Sequence, residues 1–322
     1  MTPRENFAHF LKHEPYEWVP SSFDQKRFAP ELYPDNAARG LVLQQKPFPP
    51  EKRGGKDTFG VDWVFDPAAR GSMDSKPLLD DLDDLLRWEE LIPFPDLDSW
   101  DWAGCKAENE EYLTTDKILT STIYTGFFER LVSFVGFENA SIALVDEDYE
   151  DAVKGLFNRL TDFYIDLIQR MHRWFHLDWI EFHDDWGTQR SLIFSKQTHN
   201  EFIYPYICRI VDAVHAEGMF YEQHCCGHIE DLIPSIISSG ADTWRGQDSA
   251  NDRDKLIALY GDKFSFGAHV LYEEDISDED AMAFMKDRFE HYRGKHVWLA
   301  IFGRFTPKQL DMFRDYIRSE GV

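Results

Sequence analysis

Short apolar runs alternate with longer amphipathic segments through the second half of the chain. The apolar runs have the length and composition of strands buried on both faces, and they occupy residues 118–123, 179–183, 219–226, 242–246, 264–270 and 297–302. Segments with helical periodicity lie between and after them, at residues 127–135, 148–174, 196–217, 229–238, 252–260, 277–292 and 306–319. A strand followed by a helix, repeated without hairpin turns, predicts a parallel sheet.

Helix start signals support this division. Ser195, Ser277 and Thr306 each precede a predicted helix and are suited to accept hydrogen bonds from its first N–H groups. Glycine follows several of the predicted helices, as is typical where a helix must stop. The sequence therefore predicts a (β/α)8 TIM barrel, with a doubly wound sheet as the alternative. No phosphate-binding glycine loop occurs, which weighs against that alternative.

The first third of the chain is less regular. A helix is predicted at residues 5–13, strands at 17–20 and 59–65, and a further helical segment at 78–91. We interpret residues 1–115 as an irregular N-terminal extension that includes the first strands, and residues 116–322 as the main βα repeats. Together they are expected to form one barrel domain over residues 1–322.

Polar side chains follow the predicted strands at the end where barrel enzymes carry their active sites. Glu181, His183 and Asp185 alternate along one strand end, and Glu222, His224 and Cys226 alternate along the next. Because successive strand residues face opposite ways, His224 and Cys226 share a face while Cys225 takes the other. Imidazole and thiolate are ligands that zinc accepts readily, so these two residues are candidate metal ligands, although buried structural residues would show the same pattern.

The charge of the chain limits the partners that we expect, and its cysteine content limits the expected cellular location. The chain of 322 residues has 34 Lys and Arg against 59 Asp and Glu, a net charge of −25. Such a field repels nucleic acids and anionic membranes, so neither is an expected partner. The N-terminal residues lack the apolar core of a signal peptide, and the four cysteines do not form a secreted disulfide pattern. We expect a cytoplasmic protein and leave a homodimer open.

The order of motifs resembles the uroporphyrinogen decarboxylase superfamily. The motifs are HDDWGTQ at 183–189, HCCG at 224–227, SSGADTWRGQ at 238–247 and LYGDKFSFG at 259–267. This likeness runs from about Tyr124 to the C-terminus, and it implies a barrel and an enzyme. The arginine-rich motif with which the true decarboxylases hold porphyrinogen carboxylates is missing from the N-terminal region.

The resemblance is stronger to the zinc-dependent methyltransferases that work with a corrinoid protein. That branch has His-x-Cys after a strand, matched by His224 and Cys226, and a further cysteine near the last strand. Residues 297–307 contain no cysteine. A third ligand could instead come from several residues at the strand ends, or the metal could be bound weakly or not at all; the candidates are Glu181, His183, Asp185, Glu222 and His269.

The resemblance thus implies methyl transfer between a small substrate and a corrinoid (cobalamin) carried by a separate partner protein, with Zn²⁺ at the site. The substrate would be a methyl ether such as an aryl methyl ether, a methylamine-type compound or a thiol. Asp185, with Glu181 or His183, is the predicted acid or orienting group, and the predicted substrate contacts are Trp186, Trp244, Gln247 and Arg304. A metal-free decarboxylase and a non-catalytic binding barrel remain the alternatives.

Overall fold

The computed structural model describes residues 1–67 and 71–322. It is an α/β fold built on a curled parallel sheet. The described strands are β1 (Gln25–Arg27), β2 (Gly55–Lys56), β3 (Asp62–Asp66), β4 (Gly71–Asp74), β5 (Ile118–Ile123), β6 (Trp179–His183), β7 (Phe220–Cys225), β8 (Thr243–Gly246), β9 (Ser265–Tyr272) and β10 (Val297–Gly303). Seven of them form the parallel sheet, in the order β1-β5-β6-β7-β8-β9-β10.

Helices connect these strands and cover the outside of the sheet. The described α-helices are α1 (Pro3–Leu11), α2 (Pro34–Ala38), α3 (Trp88–Leu91), α4 (Trp102–Glu108), α5 (Glu110–Leu113), α6 (Phe127–Val135), α7 (Phe137–Ala143), α8 (Glu150–Phe175), α9 (Lys196–Phe202), α10 (Tyr204–Ala216), α11 (Ile233–Ser238), α12 (Arg253–Tyr260), α13 (Asp278–Tyr292) and α14 (Pro307–Glu320). Ser195, Ser277 and Thr306 cap α9, α13 and α14 as predicted. Among the helices of the described residues, none is long and apolar enough to cross a membrane.

Two helical predictions differ from the structure. The helix predicted over 196–217 divides at Ile203 into α9 and α10. Pro205 stands in the first turn of α10, where its missing N–H cannot continue the hydrogen-bond ladder of α9. The segment predicted as helical over 78–91 contains the 3-10 helix Leu82–Arg87, followed by the single turn of α3.

The parallel sheet contains seven strands in the described residues, where the sequence predicted eight. The segment predicted as a first strand at 17–20 is not one, and β1 begins only at Gln25. Ser21 nevertheless forms a parallel bridge to Leu299 of β10, and the Leu299 N–H donates to the Pro20 carbonyl at 2.9 Å. The two edges of the sheet therefore meet through the segment that precedes β1.

The strand predicted over 59–65 exists but belongs elsewhere. It is β3, which pairs antiparallel with β2 and β4 in a separate three-stranded sheet. Arg130 of α6 connects this extension to the helices around the parallel sheet, because its buried guanidinium forms ion pairs with Asp35 and Asp57. Asp57 also accepts a hydrogen bond from the indole of Trp63 at 2.9 Å. The extension is thus fixed beside α6.

The interior of the sheet is layered along the strand direction. At the N-terminal end of the strands, α1 fills the interior with an apolar cluster that includes Phe7, Trp179 and Trp298. Ionic side chains come next, where Arg245 pairs with Glu181 and Glu222. The side chains of the third layer lie at the C-terminal ends of β6 and β7.

Candidate metal centre

Four possible metal donors converge at the C-terminal ends of β6 and β7. The strand register places His183 directly opposite His224, and their rings stack with centroids 4.6 Å apart. Asp185 and Cys226 follow in the adjoining loops, each two residues further along its chain. One donor atom from each of the four side chains lies within 4.8 Å of the others.

Two distances inside this group are close to those between ligand atoms of a tetrahedral zinc ion. His224 Nε2 lies 3.4 Å from Cys226 Sγ, and His183 Nε2 lies 3.7 Å from Asp185 Oδ1. Zinc bonds of about 2.0 Å to nitrogen and 2.3 Å to sulfur place two such ligand atoms about 3.5 Å apart. Two imidazoles, a thiolate and a carboxylate are also a donor set that zinc accepts. The donor types therefore fit zinc, and these two distances agree with its geometry.

Glu129 of α6 orients one of these imidazoles. Its carboxylate lies 2.7 Å from His183 Nδ1, which leaves His183 Nε2 facing the donor group. A carboxylate behind a histidine is the usual second partner of a metal-bound imidazole. Burial lowers the pKa of His183, but Glu129 and Asp185 outweigh it and hold that pKa well above its ordinary value. Arg39 lies 3.5 Å from Glu129 on the other side.

The thiol of Cys226 lies in a partly enclosed position. Burial raises its pKa above the ordinary value, while the adjacent His183 opposes that rise. A bound cation would reverse the balance, because a coordinating thiol loses its proton. The Cys226 backbone N–H donates to Asp185 Oδ1 at 2.6 Å, which ties the loops after β6 and β7 together.

Cys225 occupies the opposite face of β7, as strand alternation predicts. Its side chain is fully buried in the apolar core, and its sulfur accepts a hydrogen bond from the Trp186 N–H at 3.2 Å. Burial raises its pKa well above the ordinary value. Cys225 is therefore a core residue, and it provides an internal control for Cys226.

The loops that carry Asp185 and Cys226 approach each other through glycine. Gly227 has φ of +78°, and a Cβ there would clash with the backbone of Gly187. The Gly227 N–H donates to the side-chain oxygen of Gln247 at 3.2 Å, and Gln247 also bonds Gln189. Gln247, predicted to contact substrate, thus braces these two loops in the structure.

Asp184 performs a different task from the residues on either side of it. Its buried carboxylate accepts the N–H groups of Phe128 and Glu129 at 3.1 and 2.9 Å, and so caps α6. It also accepts the Trp186 indole N–H at 2.8 Å. Burial raises the pKa of Asp184 to about 7, with repulsion from Glu129 as the next cause.

Glu181 and Glu222 lie one layer below the donor group and are already paired. Arg245 donates to Glu181 Oε2 at 2.5 Å and to Glu222 Oε1 at 2.8 Å, while Arg27 lies 3.6 Å from Glu181. These side chains line a cavity of about 200 Å³ inside the sheet. Each of the two glutamates points at a guanidinium. Neither Glu222 nor Glu181 is therefore one of the four metal donors.

The remaining predicted site residues are not among the four donors. The backbone N–H of His269 donates to Asp248, and the His269 ring contacts Phe302. Arg304 is exposed beside Asp275. Trp186 and Trp244 are fully buried, and their contact with substrate stays a prediction. The burial of Trp244 follows from strand alternation, because Arg245 takes the inner face.

Two residues that sequence reasoning did not identify border the donor group. Glu129 and Arg39 come from α6 and the segment after α2, and neither belongs to a motif at a strand end. The one available signal was the place of Glu129 in the first turn of the helix after β5.

Comparison with known proteins gives a fold but no family. No family model matches the chain, and no curated protein matches its sequence. A solved methyltransferase from Methanosarcina mazei is similar over 99% of both chains, with a TM-score of 0.69 and 15% sequence identity. An endo-1,4-beta-xylanase from Caldicellulosiruptor owensensis aligns over 70% of this chain and 78% of its own, with a TM-score of 0.38 and 12% identity. At such identities the first likeness shows a shared fold.

Proposed function

We propose that this protein is a zinc-dependent methyltransferase that moves a methyl group between a small substrate and a corrinoid carried by a separate protein. The observation that carries the proposal is the convergence of four metal donors at the C-terminal ends of adjacent parallel strands, where barrel enzymes place their chemistry. The full-length likeness to a solved methyltransferase supports the same class.

The chain supplies a complete ligand set without the cysteine missing from its last strand. His224, Cys226 and His183 would hold the ion, and Asp185 would be the donor that substrate replaces, because a catalytic zinc keeps one position open. Bound zinc would supply Lewis-acid chemistry, polarising a substrate oxygen or nitrogen or lowering the pKa of a substrate thiol. Glu129 keeps Nε2 of His183 directed at the group. The stacked rings of His183 and His224 limit the freedom of both imidazoles.

A metal-free decarboxylase would need a cationic pocket for substrate carboxylates. The cavity within the sheet contains Arg27 and Arg245, but Glu181 and Glu222 balance them. No uncompensated positive charge is therefore offered there. A non-catalytic barrel would not require four donors within 4.8 Å of one another.

Metal analysis of the purified protein tests the proposal. We expect about one zinc per chain, lost in His224→Ala and in Cys226→Ala but retained in Cys225→Ala, whose sulfur faces the core. Zinc retained in Cys226→Ala, or absent from the wild type after purification in zinc-containing buffer, would contradict the metal assignment.

A spectroscopic assay tests the transfer itself. Purified protein is mixed with cob(I)alamin and a methyl donor, and methylcobalamin formation is followed by absorbance. We expect the rate to require zinc and to fall in Cys226→Ala but not in Cys225→Ala. A metal-independent rate would instead favour different chemistry.

A further inference from the structure

A pocket opens directly beside the donor group. It lies between the three-stranded sheet of the extension and α6, and has a volume of about 240 Å³. Asp185 and Glu129 form part of its wall. A molecule bound there would therefore lie against one candidate metal ligand and against the carboxylate that orients another.

The lining of this pocket is mainly apolar and aromatic. Trp63, Phe128 and Phe137 contribute rings, and Met73 adds a thioether. Phe137 is 55% exposed and Met73 is 69% exposed, although both are large apolar residues. Exposure of large apolar side chains does not stabilise the isolated chain. Clusters of such side chains commonly mark binding sites.

Size and charge limit what the pocket can hold. A cavity of roughly 150 Å³ lined by apolar residues accommodates a benzene ring, so a pocket of this size suits one substituted ring. The charged side chains of the lining are largely engaged, since Arg39 lies over the Trp63 ring at 4.8 Å and beside Glu129. The cavity within the sheet differs, because it is lined by ionic side chains.

We propose that this pocket is the substrate site, and that the substrate is a small molecule with a single aromatic ring bearing the methyl group on a heteroatom. The inference rests on the proposed function, and it selects the aryl methyl ether class over small aliphatic methyl donors. The ring packs among Trp63, Phe128, Phe137 and Met73, where offset stacking and sulfur–ring contacts are favourable. The heteroatom end then points toward Asp185 and the donor group.

Calorimetric titration of the full-length protein with guaiacol, an aryl methyl ether, tests the site. Phe137→Ala and Met73→Ala are expected to weaken guaiacol binding about five- to tenfold, because each removes a ring or sulfur contact from an exposed position that the fold does not need. Met312→Ala, which truncates a partly exposed methionine of α14, is the matched control and should leave the affinity unchanged. Trimethylamine is the aliphatic comparison.

The outcomes separate this inference from the function on which it rests. Guaiacol affinity unaffected by both pocket variants, or trimethylamine binding more tightly than guaiacol, would overturn the assignment. Methyl transfer from trimethylamine alone by a zinc-loaded protein would refute the aromatic substrate and leave the proposed function intact. Guaiacol binding that depends on Phe137 in a protein that binds no zinc would support the pocket and refute the metal-dependent function.

Discussion

Replacing Glu129 should weaken zinc binding although Glu129 itself is not among the four donors. Its carboxylate lies 2.7 Å from His183 Nδ1, at the distance of a charge-assisted hydrogen bond. Loss of such a second partner reduces metal affinity by roughly 10- to 100-fold, which corresponds to about 1.4–2.7 kcal/mol. Glu129→Gln keeps an oxygen that can accept from Nδ1, so its loss of zinc affinity should be near the lower limit of this range. Glu129→Ala removes the acceptor, so its loss of zinc affinity should approach the upper limit.

Competition between the protein and a chromophoric zinc chelator measures this affinity directly. Glu138→Gln, an exposed position on the adjacent α7, is the matched control and should behave as wild type. Unfolding by urea, measured on the metal-free proteins, shows whether a variant has simply lost its fold. Equal zinc affinities for wild type, Glu129→Gln and Glu129→Ala, with His224→Ala still defective, would refute the role assigned to Glu129.

Two further predictions concern stability. Gly227→Ala should destabilise the protein by about 1–3 kcal/mol or more, since it combines an unfavourable positive φ with a clash against Gly187. Gly218 has a similar φ of +76° but lies in open space, so Gly218→Ala should destabilise the protein less. Urea unfolding of both variants measures the two losses of stability, and equal losses would contradict the clash. Arg130→Met should cost about 3–5 kcal/mol because it leaves two buried carboxylates unpaired. Arg209→Met, which breaks an exposed ion pair with Asp162, should cost less than about 1 kcal/mol of stability in thermal denaturation. A similar loss of stability at both positions would show that burial of the Arg130 ion pairs is not decisive.

The sequence was sufficient for the repeat of strands and helices but not for the number of strands in the sheet. Apolar runs and capping residues report local structure, and β5 to β10 lie where those signals predicted them. Pairing between distant segments is not encoded locally. The alternation at residues 59–65 indicates a strand equally well in a barrel and in the small antiparallel sheet that β3 joins.

The same limit applies to the candidate site. Alternation predicts that Glu181, His183 and Asp185 share one face, but it cannot say at which height each meets the next strand. Register provides that information, because it sets His183 opposite His224 and leaves Glu181 one layer lower beside Arg245. For Glu129 the sequence offers only its place in the first turn of α6, since this residue reaches the group from a neighbouring helix.

Asp184 connects the four metal donors mechanically to the start of α6. The tripeptide 183–185 directs two side chains at the donor group and the middle one into the start of α6, so a single short segment connects both. Phe128 and Glu129, which stand in that first helical turn, also form part of the pocket wall. A displacement of α6 by an entering ligand would consequently be transmitted to the imidazole and carboxylate through three consecutive residues, so occupancy of the pocket and affinity for the ion should be coupled.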